Sequence, residues 1–114
     1  MIDLNGIAES MFNVTLQRQK NGANISTNPL AMLKHCATEV VEATDAYVCY
    51  IKDSTGDKYD SVSSELADII ACTLITSDCL GIDIEKALRK CYEKNKARAE
   101  GLVTSFRKKP EEIK

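Results

Sequence analysis

The chain has 114 residues, which is enough for one domain with a sizeable hydrophobic core. Its 15 basic and 17 acidic residues leave a formal net charge of −2, without the basic stripe that is typical of general nucleic-acid binding. The longest apolar run, Ile69–Ile75, is far shorter than the roughly 20 residues that a membrane span needs. We therefore expect a protein that binds neither nucleic acid nor membrane.

Two helices are predicted in the first half of the chain. The first runs from Ile7 to Lys20, and the Asn-Gly pair that follows it is typical of a helix end. The second begins at Pro29, because Asn28 is a favourable N-cap and proline suits the first helical position. Its apolar residues keep three-and-four spacing until about Lys52.

A third helix is predicted to begin between Asp60 and Ser64 and to run to Leu80, with Gly81 at its C-terminal end. It carries no charge over residues 69–77. A helix that is apolar on nearly every side needs packing partners all around it. We therefore expect a homodimer or homotetramer in which other copies cover part of this helix.

A fourth helix is predicted from Ile84 to about Glu100, with Asp83 as its N-cap. No segment alternates as a β-strand does. Short links between helices favour antiparallel packing, so the predicted fold is an all-α, antiparallel four-helix bundle. We assign residues 1–100 to this helical domain and residues 101–114 to a mixed-charge C-terminal tail.

Two pairs of carboxylates interrupt the apolar pattern of the second and third helices. Glu39 and Glu42 form one pair and Glu65 and Asp68 the other, each with the i, i+3 spacing that places both side chains on one face. If the two helices lie antiparallel with these turns level, four carboxylates converge, and a cation must neutralise them. Oxygen ligands select Mg²⁺, Mn²⁺ or Ca²⁺. The alternative is a solvated acidic face, since single pairs of this kind are common.

Four segments in the same order resemble the MazG-like nucleoside triphosphate pyrophosphohydrolases. These are Leu33–Ala43 with its E-x-x-E motif, Glu65–Ile70 with E-x-x-D, Leu80–Leu88 with Gly-Ile-Asp, and Glu93–Arg98 with Asn-Lys-x-Arg. The resemblance covers about residues 29–98. It implies an enzyme that splits a nucleoside triphosphate into a monophosphate and pyrophosphate, with Mg²⁺ as the cofactor and Mn²⁺ as a substitute.

The resemblance also implies a role for individual residues. The metal ligands would be Glu39, Glu42, Glu65 and Asp68. A glutamate of the second helix, Glu39 or Glu42, would take a proton from water. The fourth helix would bind phosphate oxygens through Lys94, Asn95 and Arg98, the last with its planar donor fork.

Two positions depart from the family pattern and leave other functions open. Thr38 stands where many relatives have a second acid, and Cys91 where many have a lysine. A non-catalytic helical assembly module of the same fold is therefore an alternative. A phosphoribosyl-ATP pyrophosphohydrolase is another, because that enzyme resembles the family in fold and metal motif. A di-iron carboxylate protein is disfavoured, because the Glu-x-x-His ligand pattern is absent.

Several further residues have a weaker signal. His35, one turn before Glu39, is a candidate contact for a base or phosphate, although a lone helical histidine is more commonly a packed or surface residue. Asn13 and Gln17 are candidates for lining a base pocket. Five cysteines without a C-x-x-C pair, an odd count and no signal peptide predict a reducing, cytoplasmic location.

Overall fold

A computed structural model describes residues 2–101 and contains four helices. Their bounds are Leu4–Lys20 (α1), Pro29–Lys52 (α2), Gly56–Cys79 (α3) and Ile84–Ala99 (α4). The described residues include no strand, which confirms the predicted all-α class. The assigned C-terminal tail lies, apart from Gly101, outside the described residues.

The start of α2 is where the sequence predicted it. The Asn28 side-chain oxygen accepts hydrogen bonds from the backbone N–H groups of Leu30 (3.0 Å) and Ala31 (3.3 Å), and Pro29 takes the first helical position. This cap satisfies two donors that the helix itself leaves without a partner.

The predicted start of α3 was wrong, and that of α1 was too late. α3 begins at Gly56, because the Thr55 hydroxyl caps the helix by accepting from the Lys58 N–H at 3.3 Å. α1 begins at Leu4, and its N-cap Asp3 accepts from the Gly6 N–H at 2.9 Å. Both caps lie in segments whose residue types favour turns as much as helix ends.

Contacts along α2 and α3 show that the two helices pack antiparallel. Near their connection, the rings of Tyr50 and Tyr59 meet edge to face with centroids 5.9 Å apart. At the far end, Cys36 Sγ lies 3.9 Å from Thr76 Oγ1. This register places residues 39–42 of α2 opposite residues 65–68 of α3. α1 also packs against α3.

The described chain divides into two compact units, residues 2–84 and 85–101. In the first unit, Asn5 of α1 forms two hydrogen bonds with the end of the segment that leads into α4. Its amide donates to Asp83 Oδ1 at 2.9 Å, and its carbonyl oxygen accepts from the Ile84 N–H at 3.0 Å. The second unit consists mainly of α4.

The hydrophobic core is small. Four hydrophobic residues are buried among those described: Ala8, Met32, Ala43 and Leu74. None of the helices in the described residues is long and apolar enough to span a bilayer. The small core leaves most large apolar side chains of α2 and α3 at the surface.

Candidate functional site

The antiparallel register of α2 and α3 brings three of the four predicted carboxylates together. One oxygen each from Glu39, Glu42 and Glu65 lies within 4.8 Å of the others. Asp68 is one turn beyond Glu65 on α3, and its charge acts on both Glu39 and Glu65. We call Glu39, Glu42, Glu65 and Asp68 the carboxylate cluster.

Members of the carboxylate cluster differ in exposure. Glu39 is only 8 % exposed, Glu65 is half-buried, and Glu42 and Asp68 are exposed. The cluster therefore has a buried floor, formed by one glutamate from each helix, and an open side that faces solvent. Such a site can hold an ion and still admit a second molecule.

Burial and mutual repulsion disfavour the charged forms of the two less exposed glutamates. Burial raises the pKa of Glu39, and the neighbouring charge of Glu42 raises it further, while His35 acts in the opposite direction. Burial likewise raises the pKa of Glu65, followed by the charges of Glu42 and Asp68. The ionised forms of these two glutamates are therefore less favourable than those of isolated exposed carboxylates.

The donor atoms of the cluster fit a divalent metal ion. Oε2 of Glu39 and Oε2 of Glu65 are buried and have no hydrogen-bond partner among the described residues. Buried carboxylate oxygens are ordinarily paired, and each unpaired one calls for an explanation. An all-oxygen, multiply charged donor set is the type that a hard divalent cation prefers.

His35 lies beside the cluster, as its position one turn before Glu39 suggested. Its Nε2 is 3.1 Å from Oε1 of Glu39, and its side chain is 62 % exposed. The two oxygens of Glu39 therefore have different surroundings, one beside the imidazole and the other buried without a partner.

A cavity of about 520 Å³ opens next to the carboxylate cluster. Its volume lies within the roughly 300–1,000 Å³ of typical small-molecule sites. Residues from α1, the α1–α2 loop, α2 and α3 line it, including Thr15, Arg18, Asn24, Ser26, Met32, His35, Glu39, Asp68, Cys72 and Thr76. The cavity thus combines an apolar wall with a few polar groups and one edge of the carboxylate cluster.

The residues that α1 contributes to this cavity differ from those expected. Thr15 and Arg18 line it, rather than Asn13 and Gln17. The Gln17 amide instead donates to Asn21 Oδ1 at 3.2 Å. Arg18, Asn24 and Ser26 were missed because the sequence shows only that they are polar, not that the fold brings them to one cavity.

Cys72 also faces this cavity and was not predicted to have a role. Burial raises the pKa of its thiol to about 11, and Cys36 and Glu39 add to the effect. Each of the five cysteines is a free thiol. The sequence does contain a signal that places Cys72 near the site, since it follows Asp68 by one helical turn on α3.

The predicted phosphate-binding residues lie on α4, in the second unit. Asn95 accepts a hydrogen bond from Arg98 Nη1 at 3.3 Å, and its own amide lies 3.6 Å from Cys91 Sγ. Asn95 and Arg98 therefore share one side of α4. Lys94 is exposed, four residues before Arg98.

The fold and the cluster define the class: an all-α protein with a cluster of carboxylates beside a cavity of small-molecule size. Residues 27–103 match the MazG nucleotide pyrophosphohydrolase domain, and the chain belongs to that family. This family usually depends on a divalent metal and acts on nucleotides. No curated protein and no solved structure gives a significant match.

Proposed function

We propose that this chain is a magnesium-dependent pyrophosphohydrolase that converts a nucleoside triphosphate into a monophosphate and pyrophosphate. The observation that carries the proposal is the convergence of oxygens from Glu39, Glu42 and Glu65 within 4.8 Å. Membership of the MazG family connects such a cluster with nucleotide substrates. Two buried, unpartnered oxygens in the cluster support its role as a metal site.

Glu39, Glu42, Glu65 and Asp68 would hold the ion, and Mn²⁺ is the expected substitute because it accepts the same oxygen ligands. When bound, the divalent cation neutralises charge on the triphosphate and makes water more acidic. The protein's own part is to keep four carboxylates at this position and to present one open side to the substrate.

A glutamate of α2 is proposed to accept the proton of the attacking water. Both Glu39 and Glu42 have a cluster oxygen in position, and either can act. The water oxygen forms a bond to the α phosphorus while the bond from that phosphorus to the bridging oxygen breaks. The bridging oxygen leaves with pyrophosphate, and the released proton passes through the glutamate to solvent.

The cavity beside the cluster is proposed to bind the nucleoside. Its polar groups include the Asn24 amide and the Ser26 hydroxyl, which can pair with the edge of a base, and the guanidinium of Arg18. Aromatic residues make up only 5 % of the chain, so cavity shape and hydrogen bonds should determine selectivity.

Lys94, Asn95 and Arg98 are proposed to bind phosphate oxygens. The support is the Asn-Lys-x-Arg motif and its place within the matched residues 27–103. The Asn95–Arg98 hydrogen bond holds the guanidinium and the amide on one side of α4. Arginine suits this role because its planar fork can donate two parallel hydrogen bonds to phosphate.

Product analysis tests the proposal. The protein is incubated with Mg²⁺ and a panel of ribo- and deoxyribonucleoside triphosphates plus phosphoribosyl-ATP, and pyrophosphate is measured. We expect pyrophosphate as the first product from at least one nucleoside triphosphate. Glu39→Gln should lower kcat by at least about 100-fold, since it removes a ligand and a candidate base. Glu9→Gln, at an exposed position of α1, is the matched control and should keep full activity.

Each other outcome would contradict the proposal in a definite way. Orthophosphate as the first product would exclude cleavage between the α and β phosphorus atoms. Turnover of phosphoribosyl-ATP alone would identify the rival pyrophosphohydrolase. An absence of turnover across the whole panel would favour the non-catalytic assembly module.

A further inference from the structure

A second group of donor atoms lies beside the carboxylate cluster and differs from it in chemistry. One ligand atom each from His35, Glu39 and Cys72 lies within 4.8 Å of the others. The three residues come from two helices, His35 and Glu39 from α2 and Cys72 from α3. They offer an imidazole nitrogen, a carboxylate oxygen and a thiol sulfur. The carboxylate cluster offers oxygen alone.

The three side chains all line the 520 Å³ cavity, so an ion can reach them from solvent. Glu39 is 8 % exposed, and its Oε2 is buried without a hydrogen-bond partner among the described residues. An acceptor with this burial points to a ligand that the protein atoms do not supply. This group of three residues thus has a route of entry from solvent, and the glutamate that it shares with the carboxylate cluster has one oxygen without a protein partner.

We propose that His35, Glu39 and Cys72 form a binding site for a borderline-soft divalent ion, with Zn²⁺ as the expected occupant. Nitrogen, oxygen and sulfur ligands together select such an ion over Mg²⁺, which prefers oxygen alone. Three protein ligands leave the fourth tetrahedral position to a molecule from the cavity, as is usual in open zinc sites.

The geometry of the group requires little movement to bind zinc. Bonds of about 2.0–2.3 Å in a tetrahedral zinc site place the ligand atoms roughly 3.3–3.8 Å apart. Nε2 of His35 and Oε1 of Glu39 are already 3.1 Å apart. Since no separation in the group exceeds 4.8 Å, shifts of about 1 Å in side-chain atoms would complete the site. Binding converts the Cys72 thiol to a thiolate and releases its proton to solvent.

Glu39 belongs to both groups of donors, which links the zinc site to the carboxylate cluster. An ion bound by His35, Glu39 and Cys72 lies in the wall of the cavity that we propose for the nucleoside. Zinc is therefore expected to inhibit the enzyme, and this expectation rests on the proposed function. The existence of the zinc site does not depend on it.

Cobalt titration is a direct test, because Co²⁺ replaces Zn²⁺ and a cobalt–thiolate bond gives an intense near-ultraviolet absorption that Zn²⁺ lacks. Metal-free protein is titrated with Co²⁺ and then with Zn²⁺. We expect a thiolate band at one Co²⁺ per chain that Zn²⁺ removes. Cys72→Ser should abolish the band, whereas Cys49→Ser, at an exposed position of α2, should keep it.

His35→Gln provides a second variant whose folding is not in question, because the imidazole is mostly exposed. It should weaken Co²⁺ binding at least about tenfold, as loss of a metal ligand does. No thiolate band in the unaltered protein would overturn the proposal. A band that survives Cys72→Ser, or unchanged affinity in His35→Gln, would do the same.

The variants Glu42→Gln and Cys72→Ser separate this site from the carboxylate cluster. Glu42→Gln should keep the cobalt band and lose the increase in melting temperature that Mg²⁺ produces. Cys72→Ser should show the reverse, and Glu39→Gln should lose both. Neither readout requires catalysis, so failure of the zinc site and failure of the proposed pyrophosphohydrolase activity give different results.

Discussion

Repulsion among the carboxylates of the cluster should lower the stability of the metal-free chain. Burial and the charge of Glu42 raise the pKa of Glu65, which means that its ionised form is disfavoured in the folded state. Asp68 contributes further negative charge to Glu39 and Glu65. Any change that removes one of these charges should relieve the repulsion, whether it is a bound cation or a substitution.

Replacing Asp68 by Asn should therefore have opposite effects with and without metal. In chelator the variant should melt no lower than the unaltered protein, because repulsion is relieved. A ligand that binds only the folded state at about ten times its Kd adds about 1.4 kcal/mol, or roughly 6 °C in Tm for a domain of this size. We expect that gain from Mg²⁺ in the unaltered protein and little of it in Asp68→Asn. Thermal melts with and without millimolar Mg²⁺ measure the difference.

Asp60→Asn is the matched control, since Asp60 is exposed two turns earlier on the same helix. It should keep the full response to Mg²⁺. An equal response in Asp68→Asn and Asp60→Asn would show that Asp68 is not a ligand and that the acidic residues form a solvated face.

The sequence predicted the carboxylates of the candidate site better than the rest of it. The pairs Glu39–Glu42 and Glu65–Asp68 are local patterns, and antiparallel packing of adjacent helices brings them level. Arg18, Asn24 and Cys72 reach the cavity from three different segments. Their convergence depends on how these segments pack, and no local spacing carries that information.

Local signals also decided which helix starts could be predicted from the sequence. The start of α2 was predictable because Asn28 and Pro29 both favour a helix start and no neighbouring residue opposes them. The start of α3 was not, because Ser54, Thr55 and Gly56 are equally suited to a turn. The Thr55 hydroxyl decides the outcome by capping the Lys58 N–H.

The cap of α2 deserves a direct test, since this helix holds Glu39 and Glu42. Asn28→Ala removes an acceptor for two backbone N–H groups and should lower the free energy of unfolding by about 1 kcal/mol. The corresponding fall in Tm is roughly 4 °C. Chemical or thermal unfolding followed by circular dichroism provides the measurement.

Two controls accompany the Asn28 variant. Asn28→Ser keeps a capping oxygen and should stay within a few tenths of a kcal/mol of the unaltered protein. Asn13→Ala, at an exposed position inside α1, should be neutral or slightly stabilising, because alanine is the better helix former. A loss in Asn13→Ala as large as in Asn28→Ala would show that capping is not the cause.

At the scale of the whole molecule, the core is small because most large apolar side chains of α2 and α3 lie at the surface. The sequence indicated excess apolar surface on α3, and the structure shows it on α2 as well. Large apolar side chains of both helices are exposed, among them Val40, Val41, Tyr47, Leu66 and Ile70. Large apolar side chains that stay exposed on neighbouring helices favour an interface with another chain.

We therefore expect a homodimer or homotetramer in solution, because copies of one chain can cover the same apolar surfaces through symmetric contacts. Light scattering after size-exclusion chromatography at micromolar concentration should give two or four times the chain mass of 12.6 kDa.

The double variant Tyr47→Lys with Ile70→Lys places charges on α2 and α3 and should shift the population toward monomer. Ser63→Lys, at an exposed polar position of α3, should leave the mass unchanged. A mass of 12.6 kDa for the unaltered protein would show that one chain tolerates this surface alone.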